Sequence, residues 1–277
     1  MSDELLLIEG ISQKRYCKLI EAEIETIDQF LDTPIDDLIK ILGMENDPSS
    51  IEGLLLRARL FKKRQLLVKK PISLPDPKQA IFFDIEASAT HHNVFLVSFY
   101  KIDGSKPVTI YNGKRNVFES RIVSFLSSHP TYTFISSSGN HFDKKYLIKT
   151  LKRKNLWTPT LNTIKFLDLM QYLKPRLITP VGFSVKKLSH LFGYPDYEHQ
   201  LHEDSLIKSL MKKLRINPKN DSIGYLFALA YERKILNGDI WAKMIEYNVY
   251  DVMALSFIYS RLYGLVDGTK PDEVVNF

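Results

Sequence analysis

Cysteine, long apolar runs and the common nucleotide-binding motifs are almost absent from this sequence. Cys17 is the single cysteine among 277 residues, which excludes an internal disulfide and a thiol cluster for zinc. No uninterrupted apolar stretch reaches the roughly 18 residues of a membrane span, and acids at the start stand where a signal peptide carries bases. There is no P-loop or dinucleotide-binding fingerprint either. We therefore expect a folded cytoplasmic protein with no membrane contact.

The net charge of +6 is unevenly distributed along the chain. Residues 1–56 carry a net charge of −9, residues 57–70 carry +7 with no acid, and residues 71–277 carry +8. A basic surface suits a polyanionic substrate such as nucleic acid, although an ordinary solvated surface has the same composition. The acidic first segment would repel a duplex, so docking to another protein is an alternative for that segment.

A proline-bearing stretch at residues 71–78 separates two parts with different patterns. Because proline interrupts both helices and strands, we expect this stretch to be an extended linker. Residues 1–70 predict a small all-α domain of short helices, ending in a longer helix from about 50 to 67. Residues 79–277 predict an α/β domain.

The second part begins with a strand pattern. Residues 81–85, 94–101 and 108–111 are rich in β-branched and aromatic side chains, which predicts an antiparallel meander. A helix, a further strand near 132–136 and then mostly helices follow. This order predicts a mixed sheet covered by helices.

Two short patterns indicate metal-dependent phosphodiester cleavage. Asp84 and Glu86 close an apolar run, and strand alternation directs both side chains to the same face. Tyr247 and Asp251 stand four residues apart in a late helix, so they share one helix face. Hard ions such as Mg²⁺ and Mn²⁺ take carboxylate oxygens, and a pair of them can activate water for attack on phosphorus.

These residues resemble the DEDD exonucleases of the ribonuclease H-like fold, and among them the YprB-like ribonuclease H-like domain. Asp84 and Glu86 match the first motif, the Phe142-Asp143 pair before a helix matches the second, and residues 247–252 match the third. The third motif is the version with tyrosine four residues before the last Asp, Asp251. The other subgroup of these exonucleases has a histidine five residues before that Asp, where this chain has Glu246. The resemblance covers about residues 78–264.

The resemblance implies a role for each matched residue. Asp84 would bridge two Mg²⁺ or Mn²⁺ ions, Glu86 and Asp251 would complete the shell of one ion, and Asp143 would hold the other. Tyr247 would orient the attacking water. The implied activity is 3′→5′ exonucleolytic cleavage of single-stranded DNA. An RNA exonuclease and a non-catalytic adaptor that keeps the fold are the alternatives, because each residue taken singly also has a structural interpretation such as a helix cap.

Other polar residues are weaker candidates. The His91-His92 pair could approach a phosphate, but a solvated loop is the more common role of such a pair. Asp168 is interpreted as a helix cap or a residue that supports the site. His199 and His202 lie in an acidic segment without a recognised metal-binding spacing, and we interpret that segment as charged surface.

The start of the chain resembles a helix-hairpin-helix element, in which a tight turn precedes a helix that binds a phosphate. Gly10 would form the turn and Ser12 would cap the helix. Lys14, Arg15 and Lys18 would add positive charge. The resemblance implies nucleic-acid binding by these five residues, with DNA favoured over RNA, and a protein-docking domain is the alternative.

Overall fold

The computed structural model describes residues 4–113, 117–137, 141–195, 197–217 and 222–277. Residues 1–3, which contribute to the expectation about a signal peptide, lie outside these ranges. In chain order the helices are α1 (Glu4–Leu7), α2 (Gln13–Glu21), α3 (Ile27–Asp32), α4 (Ile35–Leu42), α5 (Ser49–Lys63), α6 (Phe118–Ser127), α7 (Phe142–Arg153), α8 (Leu169–Leu173), α9 (Val185–Leu191), α10 (Tyr197–Glu203), α11 (Ser205–Leu214), α12 (Ile223–Glu232) and α13 (Gly238–Val266). The strands are β1 (Gln65–Val68), β2 (Ala80–Ala87), β3 (Val94–Tyr100), β4 (Val108–Tyr111), β5 (Thr133–Ser136), β6 (Lys165–Asp168), β7 (Leu177–Ile178) and β8 (Val274–Asn276).

The chain divides into two compact units. The first contains the residues up to Leu74 together with Leu173–Phe192 and Arg261–Phe277, and the second contains Pro75–Tyr172 and Gly193–Ser260. The change from the first unit to the second after Leu74 falls inside the predicted linker 71–78. The division into domains at 1–70, 71–78 and 79–277 stays a prediction.

Short helices form most of the first unit. Helix α2 begins at the N-cap Ser12, α3 begins with a capping box between Thr26 and Gln29, and α4 ends at Gly43 in the left-handed conformation. These caps satisfy backbone groups that a helix end leaves unpaired. Their apolar faces share one core, which includes Leu5, Leu19, Phe30, Leu38 and Ile51.

The predicted helix from 50 to 67 is wrong at its C-terminal end. Helix α5 stops at Lys63, where Arg64 takes a left-handed conformation with φ of 54°. The next residues form β1, which pairs antiparallel with β7 on one side and β8 on the other. Both partner strands lie more than 100 residues further along the chain, so no local sequence pattern predicts this three-stranded sheet.

The second unit contains a five-stranded sheet in the order β4-β3-β2-β5-β6. The pairs β2–β3 and β3–β4 are antiparallel, and the pairs β2–β5 and β5–β6 are parallel. The predicted meander and the predicted mixed sheet covered by helices are therefore confirmed. Since β2 is the central strand, residues at its C-terminal end lie in the middle of the sheet edge.

Helices cover both faces of this sheet. One face packs Ile81, Phe83 and Ile85 of β2 into a core with α6 and α7. On the other face, α11, α12 and the first half of α13 form a second core, and Phe82 of β2 contacts Tyr259 edge-on at 5.1 Å. Among the described residues no helix, α13 included, is long and apolar enough to cross a membrane.

Candidate active site

Strand β2 directs Asp84 and Glu86 to the face of the sheet that Phe82 shares. The alternate residues Phe83 and Ile85 enter the opposite core, as the two-residue period of a strand requires. Glu86 is buried and Asp84 is half-buried. The pairing with β3 becomes irregular directly after Glu86, which ends the regular ladder at the two carboxylates.

Asp143 is buried in the first turn of α7. The residue before that helix, His141, is in the left-handed conformation with φ of 52°, and its N–H donates to Asp168 Oδ2 at 2.8 Å. Asp168 ends β6, is buried, and also accepts from the backbone N–H of Gln171 at 3.2 Å. The interpretation of Asp168 as a helix cap is confirmed, and the same side chain fixes the turn that presents Asp143.

Helix α13 carries Tyr247 and Asp251 and adds a residue that the sequence reasoning missed. Asn248 is fully buried, and its Nδ2 donates to Asp84 Oδ2 at 2.6 Å. Its side chain also hydrogen-bonds to Glu86. One amide therefore holds both carboxylates of β2.

The electrostatics indicate that the carboxylates of three elements lie close together. Burial, and then the charges of Asp143, Glu86 and Asp251, raise the pKa of Asp84 well above its usual range. Burial and then the charge of Asp251 raise the pKa of Glu86 in the same way, while the hydrogen bond from Asn248 lowers it. Like charges in a low dielectric destabilise one another, so a cation would stabilise this group.

The phenol of Tyr247 stays protonated at neutral pH. Burial, and then the charges of Asp251, Glu86, Glu198 and Asp84, raise its pKa well above 10. The group is thus available as a hydrogen-bond donor or acceptor, and it does not act as a phenolate base.

Gly224 in the first turn of α12 leaves open space beside this phenol. A Cβ at position 224 would lie 3.7 Å from Tyr247 Oη, 3.8 Å from Glu86 Oε2 and 3.9 Å from Ser222 Oγ. These are ordinary contact distances, so a methyl group would fill the space without a clash. The space is large enough for a small polar group next to the phenol and the carboxylate.

The donor set suits Mg²⁺ or Mn²⁺. Asp84, Glu86, Asp143 and Asp251 supply only carboxylate oxygens, which hard divalent ions prefer. Within the described residues, no group of three or more His, Cys, Asp or Glu side chains is already placed so that it could hold a metal ion. The fit therefore rests on the chemistry of the donors and on the raised carboxylate pKa values that a bound cation would relieve.

The structure places the candidate histidines in different surroundings. His91 is exposed, with Nδ1 2.6 Å from Thr90 Oγ1, and lines a cavity of about 610 Å³ between the β2–β3 loop and the end of α12. His92 instead packs on the aromatic side chains of α7. His202 lies 3.9 Å from Glu198 on α10. The charge of Glu198 is one of those that raise the pKa of Tyr247.

The N-terminal hairpin has the predicted turn. Gly10 has φ of 99°, which strains any residue with a Cβ, and a Cβ there would also come within 2.7 Å of Leu54 Cδ2, so that leucine would have to shift. The hydroxyl of Ser12 accepts from the N–H of Arg15 at 3.4 Å, and Arg15 Nη1 donates to the Gly10 carbonyl at 2.5 Å. The guanidinium therefore closes the turn and keeps further donors available.

The other two cations of the hairpin differ from each other. Lys18 Nζ donates to the carbonyl of Leu42, the last residue of α4, at 3.2 Å, where a cation complements the helix dipole. Lys14 is exposed. The five hairpin residues lie in the first unit and the four carboxylates in the second.

Two residues at the site have weak sequence signals. Asn248 interrupts a buried apolar stripe of α13 formed by Met244, Val252 and Leu255, and a polar residue in such a stripe normally has a specific partner. Gly224 is a glycine inside a helix, which is unfavourable unless space is needed there. For each residue, the partner is visible only in the fold.

Comparison with protein families matches residues 81–263 to the model described as RNase_H superfamily. The matched range begins in β2 and ends in α13, so it contains all four carboxylates and Tyr247. A comparison with curated proteins finds no match.

Proposed function

We propose that this chain, which belongs to the RNase H superfamily, is a metal-dependent 3′→5′ exonuclease that acts on single-stranded DNA. Membership of the superfamily supports a nuclease-type activity on nucleic acid. The observation that carries the proposal is electrostatic: in addition to burial, the charges of Asp143 on α7 and Asp251 on α13 both raise the pKa values of Asp84 and Glu86 on β2. The direction of cleavage and the preference for DNA rest on the resemblance to DEDD exonucleases, and a cytoplasmic location rests on composition.

In this proposal Asp84, Glu86 and Asp251 would hold one divalent ion, and Asp84 and Asp143 would hold a second. When bound, Mg²⁺ or Mn²⁺ would activate a water and stabilise the leaving alkoxide. The role of Asn248 is to keep the carboxylates of Asp84 and Glu86 in a fixed orientation before an ion arrives.

The phenol of Tyr247 orients the attacking water by a hydrogen bond. The water oxygen forms a bond to phosphorus and releases a proton to solvent. The bond from phosphorus to the 3′ oxygen of the preceding nucleotide breaks, and that leaving oxygen takes up a proton from solvent. Because the pKa of Tyr247 is raised, the phenol keeps its own proton throughout. The space beside Gly224 is where this water is expected to lie.

The N-terminal hairpin is proposed to capture nucleic acid for the second unit. The turn at Gly10 and Ser12 and the positive charges of Lys14, Arg15 and Lys18 support this role. Replacing the three cations by alanine should raise KM for DNA and flatten the salt dependence of binding, with little change in kcat. Unaltered affinity and salt slope would instead favour a protein-docking role for this acidic segment.

A degradation assay tests the activity itself. The purified protein is incubated with 5′-labelled single-stranded and double-stranded DNA and RNA, each with Mg²⁺, Mn²⁺ or EDTA. The proposal predicts a ladder of shortened labelled strands from single-stranded DNA, which EDTA abolishes. Immediate release of a labelled mononucleotide would contradict the polarity, and cleavage of RNA alone would contradict the substrate.

A matched pair of variants on α13 connects the activity to the site. Asp251→Asn removes a carboxylate from the cluster, and Asp239→Asn makes the same chemical change at an exposed position in the first turn. We expect the first variant to be inactive and the second to cleave like the wild type. No cleavage by the wild type of any of the four substrates with either ion would contradict the proposed function.

A further inference from the structure

Helix α7 presents a row of cations and an aromatic ring beside the carboxylate site. Phe142, Tyr146, Lys149 and Arg153 are spaced three or four residues apart and share one face of this helix. The helix contains five cations and a single acid, Asp143. Its cations are Lys144, Lys145, Lys149, Lys152 and Arg153.

These cations lack the usual partners of surface lysines. In the part of the chain that the structure describes, no carboxylate forms an ion pair with any of the five. Four of them, Lys145, Lys149, Lys152 and Arg153, are exposed. Positive charges that no neighbouring acid neutralises are suited to an external anion.

The ring of Tyr146 lies at the centre of this surface. Its centroid is 4.4 Å from that of Phe142 and 4.7 Å from that of His92. The ammonium groups of Lys145 and Lys149 lie 5.4 Å and 5.3 Å from the same centroid. An aromatic ring flanked by ammonium groups is the arrangement that binds a base by stacking and its phosphates by charge.

The β2–β3 loop is held against this surface in an unfavourable backbone conformation. His92 has φ of 51°, a conformation that disfavours residues other than glycine. Its N–H donates to the Ser88 carbonyl at 3.0 Å, and its ring packs on Phe142 and Tyr146. Arg153 donates to Oδ1 of Asn93, the next residue of the same loop. These contacts fix the loop and orient the Tyr146 ring.

We infer that Tyr146, Lys145, Lys149, Arg153 and His92, here named the α7 track, bind the single-stranded portion of a nucleic acid. The inference rests on the proposed function for its substrate. An unpaired base can stack on Tyr146, whereas a base inside a duplex is already stacked on its neighbours. The helix begins one residue before Asp143 and rises about 16 Å to Arg153, so the track leads directly away from the carboxylates.

Binding without cleavage tests the track. Anisotropy of a labelled single-stranded DNA is measured in EDTA across a range of salt concentrations. Tyr146→Ala should bind about 5- to 150-fold more weakly, the range expected for loss of one stacked base, and Tyr146→Phe should bind like the wild type. The double variant Lys145→Ala/Lys149→Ala should reduce the slope of log K against log salt by about 1.4, since each phosphate contact on a single strand contributes about 0.7.

A second lysine pair provides the matched control. Lys212 and Lys213 are exposed on α11, and replacing both by alanine removes the same charge at a distance from the track. We expect this variant to keep the affinity and slope of the wild type. An equal loss in both double variants would mean that net charge alone drives binding, which would overturn the inference.

The outcomes separate this inference from the proposed function. If the wild type cleaves single strands and Tyr146→Ala binds them with unchanged affinity, the track is wrong and the nuclease proposal stands. If the wild type neither binds nor cleaves any nucleic acid, the proposed function fails first. The lysine pair keeps the test decisive should Tyr146→Ala fold poorly, because exposed lysines contribute little to folding.

Discussion

Replacing Gly224 by alanine should change the stability and the activity of this protein in opposite directions. The new methyl group would lie 3.7 Å from Tyr247 Oη and 3.8 Å from Glu86 Oε2, so it fits without displacing either atom. Alanine is better than glycine in a helix by at most about 0.5–1 kcal/mol. For a chain of this size that gain corresponds to a rise in Tm of about 1–4 °C.

The same methyl group occupies the space proposed for the attacking water. A misplacement of about 1 Å at a reacting centre can reduce the rate about 100-fold, and we expect a loss of kcat of that order. Thermal unfolding in EDTA and single-turnover cleavage of single-stranded DNA measure the two effects. Gly264→Ala is the control, because a Cβ at position 264 of α13 would meet no atom within 4 Å. It should raise Tm with no change in rate, and a normal rate for Gly224→Ala would refute the assigned position of the water.

Three further changes have distinct expected results. Because the pKa of Asp84 is raised in the folded, metal-free protein, the wild type should lose stability as pH rises from about 4 through that folded pKa. Asp84→Asn should remove this part of the loss. Equal slopes of the urea-unfolding free energy against pH in both proteins would contradict this. Tyr247→Phe should lower kcat about 100-fold with unchanged Mn²⁺ affinity, and a normal rate would remove the phenol from the mechanism. Asn248→Leu deletes the hydrogen-bond donor to Asp84 and Glu86. Titration calorimetry should therefore show Mn²⁺ affinity about 10- to 100-fold weaker. Unchanged affinity would make this amide purely structural.

The parts of this fold that sequence patterns predict are those with a local cause. The meander of β2, β3 and β4 follows from alternating β-branched and aromatic residues, and Asp84 and Glu86 share a face because a strand has a two-residue period. The spacing of Tyr247 and Asp251 likewise follows from the helix repeat. Each of these predictions depends on residues close together in the sequence.

The missed parts depend on residues far apart in the sequence. β1 has the composition of a continued helix and becomes a strand because β7 and β8 pair with it. The amide of Asn248 meets Asp84 across 164 positions of sequence, and Asp168 meets the His141 N–H across 27. A sequence pattern identifies a buried polar residue as unusual, and the fold alone identifies the partner.

Counting the Mn²⁺ ions that the protein binds is the most direct test of the carboxylate site. Electron paramagnetic resonance of free Mn²⁺, titrated with the wild type and with Asp84→Asn in the absence of nucleic acid, measures the number of ions bound per chain. Because Asp84 is proposed to bridge both ions, we predict two ions for the wild type and strongly weakened binding of both in the variant. Identical binding curves for the two proteins would contradict the assignment of these carboxylates as a metal site.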